Sequence, residues 1–252
     1  MPPALLSESF RVRAYEIDPE ARLALPALCD WLQEAAGNHA TDLGVATDRL
    51  LESGRAWVLS RLRVEIAALP RWRQRVTVET WPSAENGLVA ERDFLVLDEH
   101  GAPLARAISH WVIIDVARRR PVRLPEAVTG IELPDRQRAL TPAASPLAPP
   151  DQSALVRHFS VRRSDLDLNL HVNNVRYVEW ALEAVPDDVL QTHDCASIDV
   201  QFRAESVYGD TIASRAGAPL AGEDGLTIRH AVTREGDDRQ LAVLATRWRQ
   251  QG

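Results

Sequence analysis

Two stretches of the chain decide the fold because they repeat each other: Val12-Arg13-Ala14-Tyr15-Glu16-Ile17-Asp18 and Val161-Arg162-Arg163-Ser164-Asp165-Leu166-Asp167. The same ungapped register later aligns Trp31 with Trp180, Glu34 with Glu183 and Ala35 with Ala184. Chance does not easily supply matches in one register at corresponding places, and a repeat of this size changes the predicted fold. We therefore interpret the chain as two copies of one structural unit.

Each copy has the pattern of a helix followed by consecutive strands. In the first copy, apolar residues at spacings of three and four predict a helix over residues 25–43, with Pro26 in its first turn and Gly44 at its end. Strand-like segments follow at residues 56–66, 75–81, 88–97 and 104–115. The second copy predicts a helix over residues 174–185 and strands near residues 196–203, 211–216, 226–233 and 241–248.

A long helix followed by antiparallel strands favours an α+β domain in which the sheet wraps around the helix. The predicted fold is therefore a tandem, or double, hotdog with two antiparallel sheets, each wrapped around a central helix. We place the N-terminal hotdog at residues 1–116, a linker with seven prolines at residues 117–152, and the C-terminal hotdog at residues 153–252. Apolar faces of the first half could line a tunnel for an acyl chain, although ordinary core packing explains the same residues.

Composition narrows the classes of function. The chain has 252 residues, of which 45% are apolar and 26% charged, and it contains no run of about 20 apolar residues that could span a bilayer. Its formal charge of −7 argues against general nucleic-acid binding. Cys29 and Cys195 lack the spacing of a zinc site, so we expect two reduced thiols and no metal. Because the start lacks a basic region followed by an apolar one, we expect the protein in the cytoplasm.

The stretch with the most chemical information precedes the second predicted helix: Arg163-Ser164-Asp165-Leu166-Asp167-Leu168-Asn169-Leu170-His171-Val172-Asn173-Asn174. In an extended strand, Asp167, Asn169 and His171 would point to one side. The N-terminus of the following helix adds a partial positive charge that could stabilise an oxyanion without a metal. A structural interpretation stays open: Asn173 or Asn174 can serve only as a helix cap.

The turn-forming acids and the histidine of this stretch also have structural interpretations. Asp165 and Asp167 can bond their own backbone in turns, and a lone histidine is more often structural. The repeat argues for chemistry, because the first copy places Asp18, Glu20 and Arg22 where the second has Asp167, Asn169 and His171. Only one half therefore holds the full polar set.

The whole chain resembles the acyl-acyl carrier protein (acyl-ACP) thioesterases of plant plastids and bacteria, whose members are double-hotdog enzymes. The resemblance rests on Val78-Glu79-Thr80-Trp81, Arg92-Asp93, Trp111-Val112, Arg118-Arg119, the Leu166 to Asn174 segment and Phe202-Arg203-Ala204-Glu205. It implies hydrolysis of fatty acyl thioesters, foremost acyl-ACP, to free fatty acid and carrier thiol in fatty acid biosynthesis, with no cofactor.

The resemblance also implies that Asp167, Asn169 and His171 act with an acidic residue from the next strand, which here is Glu205. Many plant members carry a cysteine directly after that glutamate, where this chain has Ser206. This departure disfavours a cysteine nucleophile. We expect Glu205, held with Asn169, to deprotonate water, while Asp167 and His171 complete the hydrogen-bond network.

Other functions and partners remain open at the level of sequence. The alternatives are an acyl-CoA thioesterase, a hotdog hydratase or dehydratase built on Asp167 and His171, and a non-catalytic acyl-binding module. An acidic carrier protein would need a basic docking surface on this protein. We expect the protein itself to be a monomer or a homodimer. Candidates for that surface are Arg118-Arg119-Arg120 with Arg123, and Arg71 with Arg73 and Arg75.

Overall fold

The computed structural model describes residues 4–143 and 145–251. The chain divides into two compact units, Met1–Ala143 and Ala144–Gly252. Each unit contains the helix and the antiparallel sheet that its copy of the repeat predicts. Among the described residues, no helix combines the length and the apolar character that a membrane span requires.

The first unit begins with a strand and its main helix, and four long strands follow. Its elements are β1 (Leu6–Arg11), α1 (Leu25–Asp42), α2 (Thr47–Glu52), β2 (Arg55–Ile66), β3 (Arg75–Glu85), β4 (Val89–Leu97), β5 (Pro103–Asp115), β6 (Arg120–Val122) and α3 (Glu126–Thr129). The predicted helix and all four predicted strands are present. Gly44 follows the helix with φ 74°, a left-handed conformation that suits a residue without Cβ.

The second unit repeats this plan with shorter helices. Its elements are β7 (Leu155–Ser160), a 3₁₀ turn (Arg163–Asp165), α4 (Asn174–Leu182), α5 (Asp187–Thr192), β8 (His193–Phe202), β9 (Thr211–Ala216), β10 (Leu220–Gly222), β11 (Gly225–Arg234) and β12 (Arg239–Gln250). The helix predicted over residues 174–185 ends at Leu182, because Pro186 disfavours helical backbone in the residue before it.

The strands of each unit pair in the same order. In the first unit the order is β1-β3-β4-β5-β2, and β6 pairs with the end of β5. In the second unit it is β7-β9-β11-β12-β8, and β10 pairs with β11. All of these pairs are antiparallel. The repeat seen in the sequence is therefore a repeat of topology.

Equivalent aromatic pairs lie in the two cores. The rings of Phe10 and Trp31 stack with centroids 5.1 Å apart, and those of Phe159 and Trp180 stack at 5.9 Å. Both pairs join the first strand of a unit to its main helix, in the register that the sequence predicts. Offset-stacked aromatic pairs bury large apolar areas and add specific geometry, so they set the helix against the sheet in each unit.

The proline-rich segment at residues 117–152, which we predicted to be a linker, contains secondary structure. Its first part includes β6 and α3, and Leu140 is buried. Nε of Arg138 donates to Oδ2 of the fully buried Asp93 at 3.0 Å, and N of Ala139 donates to the same carboxylate at 2.6 Å. The compact first unit therefore extends to Ala143, because prolines limit ladder pairing but do not prevent packing against a neighbouring sheet.

Candidate active site

The segment from Leu166 to Val172 forms a tight turn, and our expectation of an extended strand there was wrong. Leu166 and Val172 form an isolated bridge, and N of Leu170 donates to O of Asp167 at 3.1 Å. Oδ1 of Asp167 accepts hydrogen bonds from N of Asn169 at 2.8 Å and N of His171 at 3.3 Å. Such local bonds by aspartate compete with sheet pairing, which is why the segment folds back.

This turn is fastened to the loop that carries Glu205. His171 forms a bridge with Val207, and N of Val172 donates to O of Ser206 at 2.9 Å. Glu205 follows β8 in the chain and lies far from His171 in sequence. Backbone pairing between the two loops brings these side chains together, so their proximity depends on tertiary structure.

The side chains of two predicted site residues, His171 and Glu205, lie next to each other. Nε2 of His171 lies 3.5 Å from Oε1 of Glu205, and each side chain is about one-third exposed, 34% and 35%. The pair is therefore supported by protein on one side and open to a substrate on the other. A histidine and a carboxylate in this arrangement can hold a water molecule and take its proton.

The other two predicted site residues have different positions. Asp167 is half-buried and its carboxylate organises the turn backbone. Asn169 is exposed, and its side chain makes no hydrogen bond to the described residues. The expected pairing of Glu205 with Asn169 is therefore not observed, and the side chain of His171 is one of those that lie next to Glu205. The turn places Asn169 two residues before His171, with its amide accessible to a ligand.

Helix α4 begins directly after the turn. Asn173 is its N-cap, and Oδ1 of Asn173 accepts a hydrogen bond from N of Val175 at 3.0 Å. N of Asn173 in turn donates to O of Asp165 at 2.8 Å. The capping role considered for Asn173 is thus present. The helix still contributes its partial positive charge near His171, because the macrodipole does not depend on which group caps it.

The loop that carries Glu205 is held by hydrogen bonds to the carboxylate of Asp210, which the sequence did not predict. Oγ of the fully buried Ser206 donates to Oδ2 of Asp210 at 2.7 Å, and N of Val207 donates to the same oxygen at 3.0 Å. Arg234 lies 3.5 Å from that oxygen. Burial by itself would raise the pKa of Asp210, but these hydrogen bonds and the charge of Arg234 outweigh it and hold the pKa below its usual value.

The first unit contains the same turn without the same side chains. N of Asp18 donates to O of Arg22 at 2.8 Å, matching the bond from N of Asp167 to O of His171 at 2.7 Å. In both copies two consecutive backbone N–H groups bond one carbonyl, Ala67 and Ala68 to Leu104 in the first, and Arg203 and Ala204 to Leu241 in the second. Leu69 therefore occupies the place of Glu205. The first copy keeps the backbone and lacks the acid.

Comparison with known proteins identifies the family. The model of the acyl-ACP thioesterase N-terminal domain matches residues 3–131, and that of the C-terminal domain matches residues 149–250. The chain belongs to the acyl-ACP thioesterase family. It is 28% identical to the oleoyl-acyl carrier protein thioesterase of Coriandrum sativum chloroplasts, over 96% of this chain and 76% of that protein. The chain spans between 52% and 76% of the length of its curated plant relatives.

Solved structures of acyl-ACP thioesterases share the fold. The 12:0-ACP thioesterase from Umbellularia californica is 28% identical with a TM-score of 0.89, covering 100% of this chain and 96% of that one. An acyl-ACP thioesterase from Bacteroides thetaiotaomicron is 26% identical with a TM-score of 0.87, covering 97% of this chain and 98% of that one. The predicted double-hotdog fold and the predicted thioesterase class are confirmed.

The residue that follows Glu205 in this family member is a serine whose hydroxyl donates a hydrogen bond inside the protein. Ser206 is fully buried and donates to Asp210, so its oxygen does not face the open side of the His171–Glu205 pair. Because the pKa of Asp210 is lowered, this carboxylate is a poor base for activating a hydroxyl. The arrangement favours water over Ser206 as the nucleophile.

The first unit of this acyl-ACP thioesterase homologue contains a cavity of about 530 Å³. Trp57, Trp111, Ile131 and Arg92 are among the residues that line it. NH1 of Arg92 lies 2.9 Å from Nδ1 of the fully buried His39, and burial lowers the pKa of Arg92 to about 10. In the described residues, no group of three or more His, Cys, Asp or Glu side chains is arranged to bind a metal ion.

Proposed function

We propose that this chain hydrolyses fatty acyl-ACP to a free fatty acid and the carrier thiol, at a site formed by Asp167, Asn169, His171 and Glu205. The observation that carries the proposal is the 3.5 Å approach of Nε2 of His171 to Oε1 of Glu205 beside the N-terminus of α4. The same backbone in the first unit presents Arg22 and Leu69, so the reactive pair occurs in the second unit alone.

In the proposed reaction, water held by His171 and Glu205 adds to the carbonyl carbon of the thioester. Glu205 accepts one proton of this water, and His171 holds the carboxylate in position. The C–S bond of the tetrahedral intermediate then breaks, the carbonyl re-forms as the carboxylic acid, and the proton passes to the departing thiolate. A thiolate is a good leaving group, so positioning the water and stabilising the oxyanion are the main tasks of the protein.

Asp167 and Asn169 have supporting roles in this mechanism. Asp167 shapes the turn through its two backbone hydrogen bonds and thereby positions His171. The exposed amide of Asn169 is a side-chain donor for the developing oxyanion, together with the positive end of α4. Activation of the water by Glu205 and stabilisation of the oxyanion each contribute about two to four orders of magnitude in rate.

We assign the acyl chain to the cavity of the first unit. Its volume of about 530 Å³ is within the range of small-molecule pockets, and Trp57, Trp111 and Ile131 provide apolar surface for the chain. This assignment gives the first unit, Met1–Ala143, the binding role that its missing reactive pair leaves available. A cytoplasmic location and a monomeric or homodimeric state remain predictions.

The test is thiol release from acyl-ACP and acyl-CoA of graded chain length, with wild type, His171→Ala and Glu205→Gln. We expect kcat to fall by about two to four orders of magnitude in both variants, because each removes a group that acts on the water. Arg22→Ala is the matched control, since it alters the equivalent turn of the first unit. Circular dichroism of all four proteins separates lost chemistry from lost folding.

Three results would contradict the proposal. Full hydrolytic activity of Glu205→Gln would remove Glu205 from the mechanism. Hydration of an enoyl thioester without thiol release, dependent on Asp167 and His171, would establish the hydratase alternative instead. Faster hydrolysis of acyl-CoA than of acyl-ACP with the same chain would assign the other donor.

A further inference from the structure

Four large apolar side chains are exposed around the His171–Glu205 pair. Leu168, Leu170, Val207 and Tyr208 form what we call the rim patch, with exposed fractions of 103%, 71%, 41% and 54%. Single exposed apolar residues are common on protein surfaces, but contiguous ones frequently mark sites of interaction.

The backbone places these four residues beside the reactive pair. Leu168 and Leu170 lie on the turn that ends at His171, and Val207 forms the bridge with His171. Val207 and Tyr208 lie two and three residues after Glu205 in the chain. The rim patch therefore borders both loops of the proposed active site.

The turn does not need these residues for its own stability. Leu170 has φ 60°, a left-handed conformation in which a residue with a branched side chain is strained and in which Gly or Asn is favoured. In the first unit, the equivalent turn is formed with Pro19 and Ala21 in the places of Leu168 and Leu170. The same backbone thus forms without exposed leucines, and the second unit exposes them where the reactive pair is.

A cation lies at the edge of the rim patch. The guanidinium carbon of Arg163 is 4.4 Å from the ring centroid of Tyr208, so the ring and the charge form one surface. The neighbouring Arg162 is paired with Asp165 at 2.8 Å. Arg163 makes no ion pair with any residue in the described ranges, so its charge remains available to an acidic partner.

We propose that the rim patch and Arg163 form the docking surface for the acidic carrier protein that presents the acyl group. This proposal rests on the proposed function, because it assigns the surface to the donor of that reaction. The surface offers apolar area with one cation, which complements a protein face of apolar and acidic residues. Coenzyme A, whose outer part consists of phosphates and a nucleotide, would instead require several cations.

The experiment compares acyl-ACP and acyl-CoA with the same acyl chain as substrates of Leu168→Ser, Tyr208→Ala and Arg163→Glu. We expect KM for acyl-ACP to rise about tenfold or more in each variant, while kcat at saturation stays within about twofold, because interface aromatic and arginine residues contribute most to docking. kcat/KM for acyl-CoA should change by less than about twofold.

The first unit provides a matched control. Trp72 occupies the place of Tyr208, is 44% exposed, and has the guanidinium of Arg73 4.2 Å from its ring centroid. Trp72→Ala removes an exposed aromatic residue with a stacked arginine from the copy that lacks the reactive pair. We expect it to leave KM for acyl-ACP unchanged.

Several outcomes would overturn the docking surface. Equal losses with both donors would mean that the rim patch affects chemistry or folding, and an unchanged KM for acyl-ACP would mean that the carrier binds elsewhere. A rim-patch variant that converts a dimer to a monomer with unchanged KM would make this surface a self-interface. If the wild-type protein hydrolyses acyl-CoA but not acyl-ACP, the docking surface is overturned while thioester hydrolysis is retained. If it releases thiol from neither donor, both the docking surface and the proposed hydrolysis are overturned.

Discussion

Ser206 allows a direct test of whether water or a protein side chain attacks the thioester. It follows Glu205, and Oγ of Ser206 donates to Oδ2 of Asp210 at 2.7 Å inside the protein. Replacing Ser206 with alanine removes this hydroxyl and changes little else. The backbone oxygen of Ser206, which accepts from N of Val172 at 2.9 Å, remains in the variant.

The expected loss of stability follows from the partner of the hydroxyl. A hydrogen bond to a charged group contributes about 1.5–3 kcal/mol. After the substitution, Asp210 keeps the N–H of Val207 at 3.0 Å and the guanidinium of Arg234 at 3.5 Å, so the carboxylate is not left without partners. We therefore expect Ser206→Ala to lower the free energy of unfolding by about 1.5–3 kcal/mol.

The activity of the same variant should be largely retained. If water is the nucleophile, kcat should fall less than about tenfold, since the pairing that places Glu205 is made by backbone atoms. Urea denaturation and steady-state hydrolysis of acyl-ACP measure the two effects separately. Ser214→Ala is the control, because Ser214 is also fully buried, lies in the same unit, and has a hydroxyl without a hydrogen-bond partner among the described residues.

Comparison of Ser206→Ala with Ser214→Ala separates the effect of losing a hydrogen bond from the effect of replacing a buried serine. Ser214→Ala should be neutral or slightly stabilising, because an unsatisfied buried hydroxyl costs free energy. A fall in kcat of about six orders of magnitude in folded Ser206→Ala would refute the water mechanism, since that is the scale seen when a nucleophilic serine is removed. Equal destabilisation by the two variants would refute the role given to the Asp210 contact.

Two further predictions concern titration and thiol chemistry. Burial lowers the pKa of His230 to about 4. Between pH 6.5 and 4 the unfolded chain therefore binds more protons than the folded chain, so the free energy of unfolding falls by about 3 kcal/mol as the pH falls through this range. Urea titrations across this range should show that fall in wild type and not in His230→Gln; parallel curves would contradict it. Cys29 is fully buried, and burial raises the pKa of Cys195 to about 12, so N-ethylmaleimide should leave hydrolysis unchanged. Inactivation by this reagent would contradict the assigned site.

Much of the fold followed from patterns local to the chain. The apolar spacing over residues 25–43 and the strand-like segment at residues 75–81 predicted α1 and β3, and both have the buried apolar faces that such patterns imply. The short elements α2, α3, α5, β6 and β10 were not predicted, because segments of three to six residues carry too little periodicity. We also did not predict that residues 120–143 pack as part of the first unit. Proline content shows where the hydrogen bonds of a β-ladder cannot form, but it does not show which residues a segment contacts.

The site was predicted in parts. Asp167, Asn169 and His171 were found in one local motif, but the strand geometry expected for them was wrong, because the Asp167 carboxylate bonds the backbone of its own turn. Glu205 came from family resemblance and not from spacing. The Ser206–Asp210 contact and the rim patch had no signal in the sequence, since burial and exposure depend on neighbours from other parts of the chain.

The sequence by itself determined the duplication, the order of helix and strands in each copy, and the location of the polar motif in the second. These features depend on residues close together in the chain, whose periodicity and turn chemistry are local. Tertiary structure alone decided that Glu205 meets His171, that Ser206 is engaged with Asp210, and that Leu168 and Leu170 are exposed. Those outcomes depend on backbone pairing between loops distant in sequence, which no local pattern encodes.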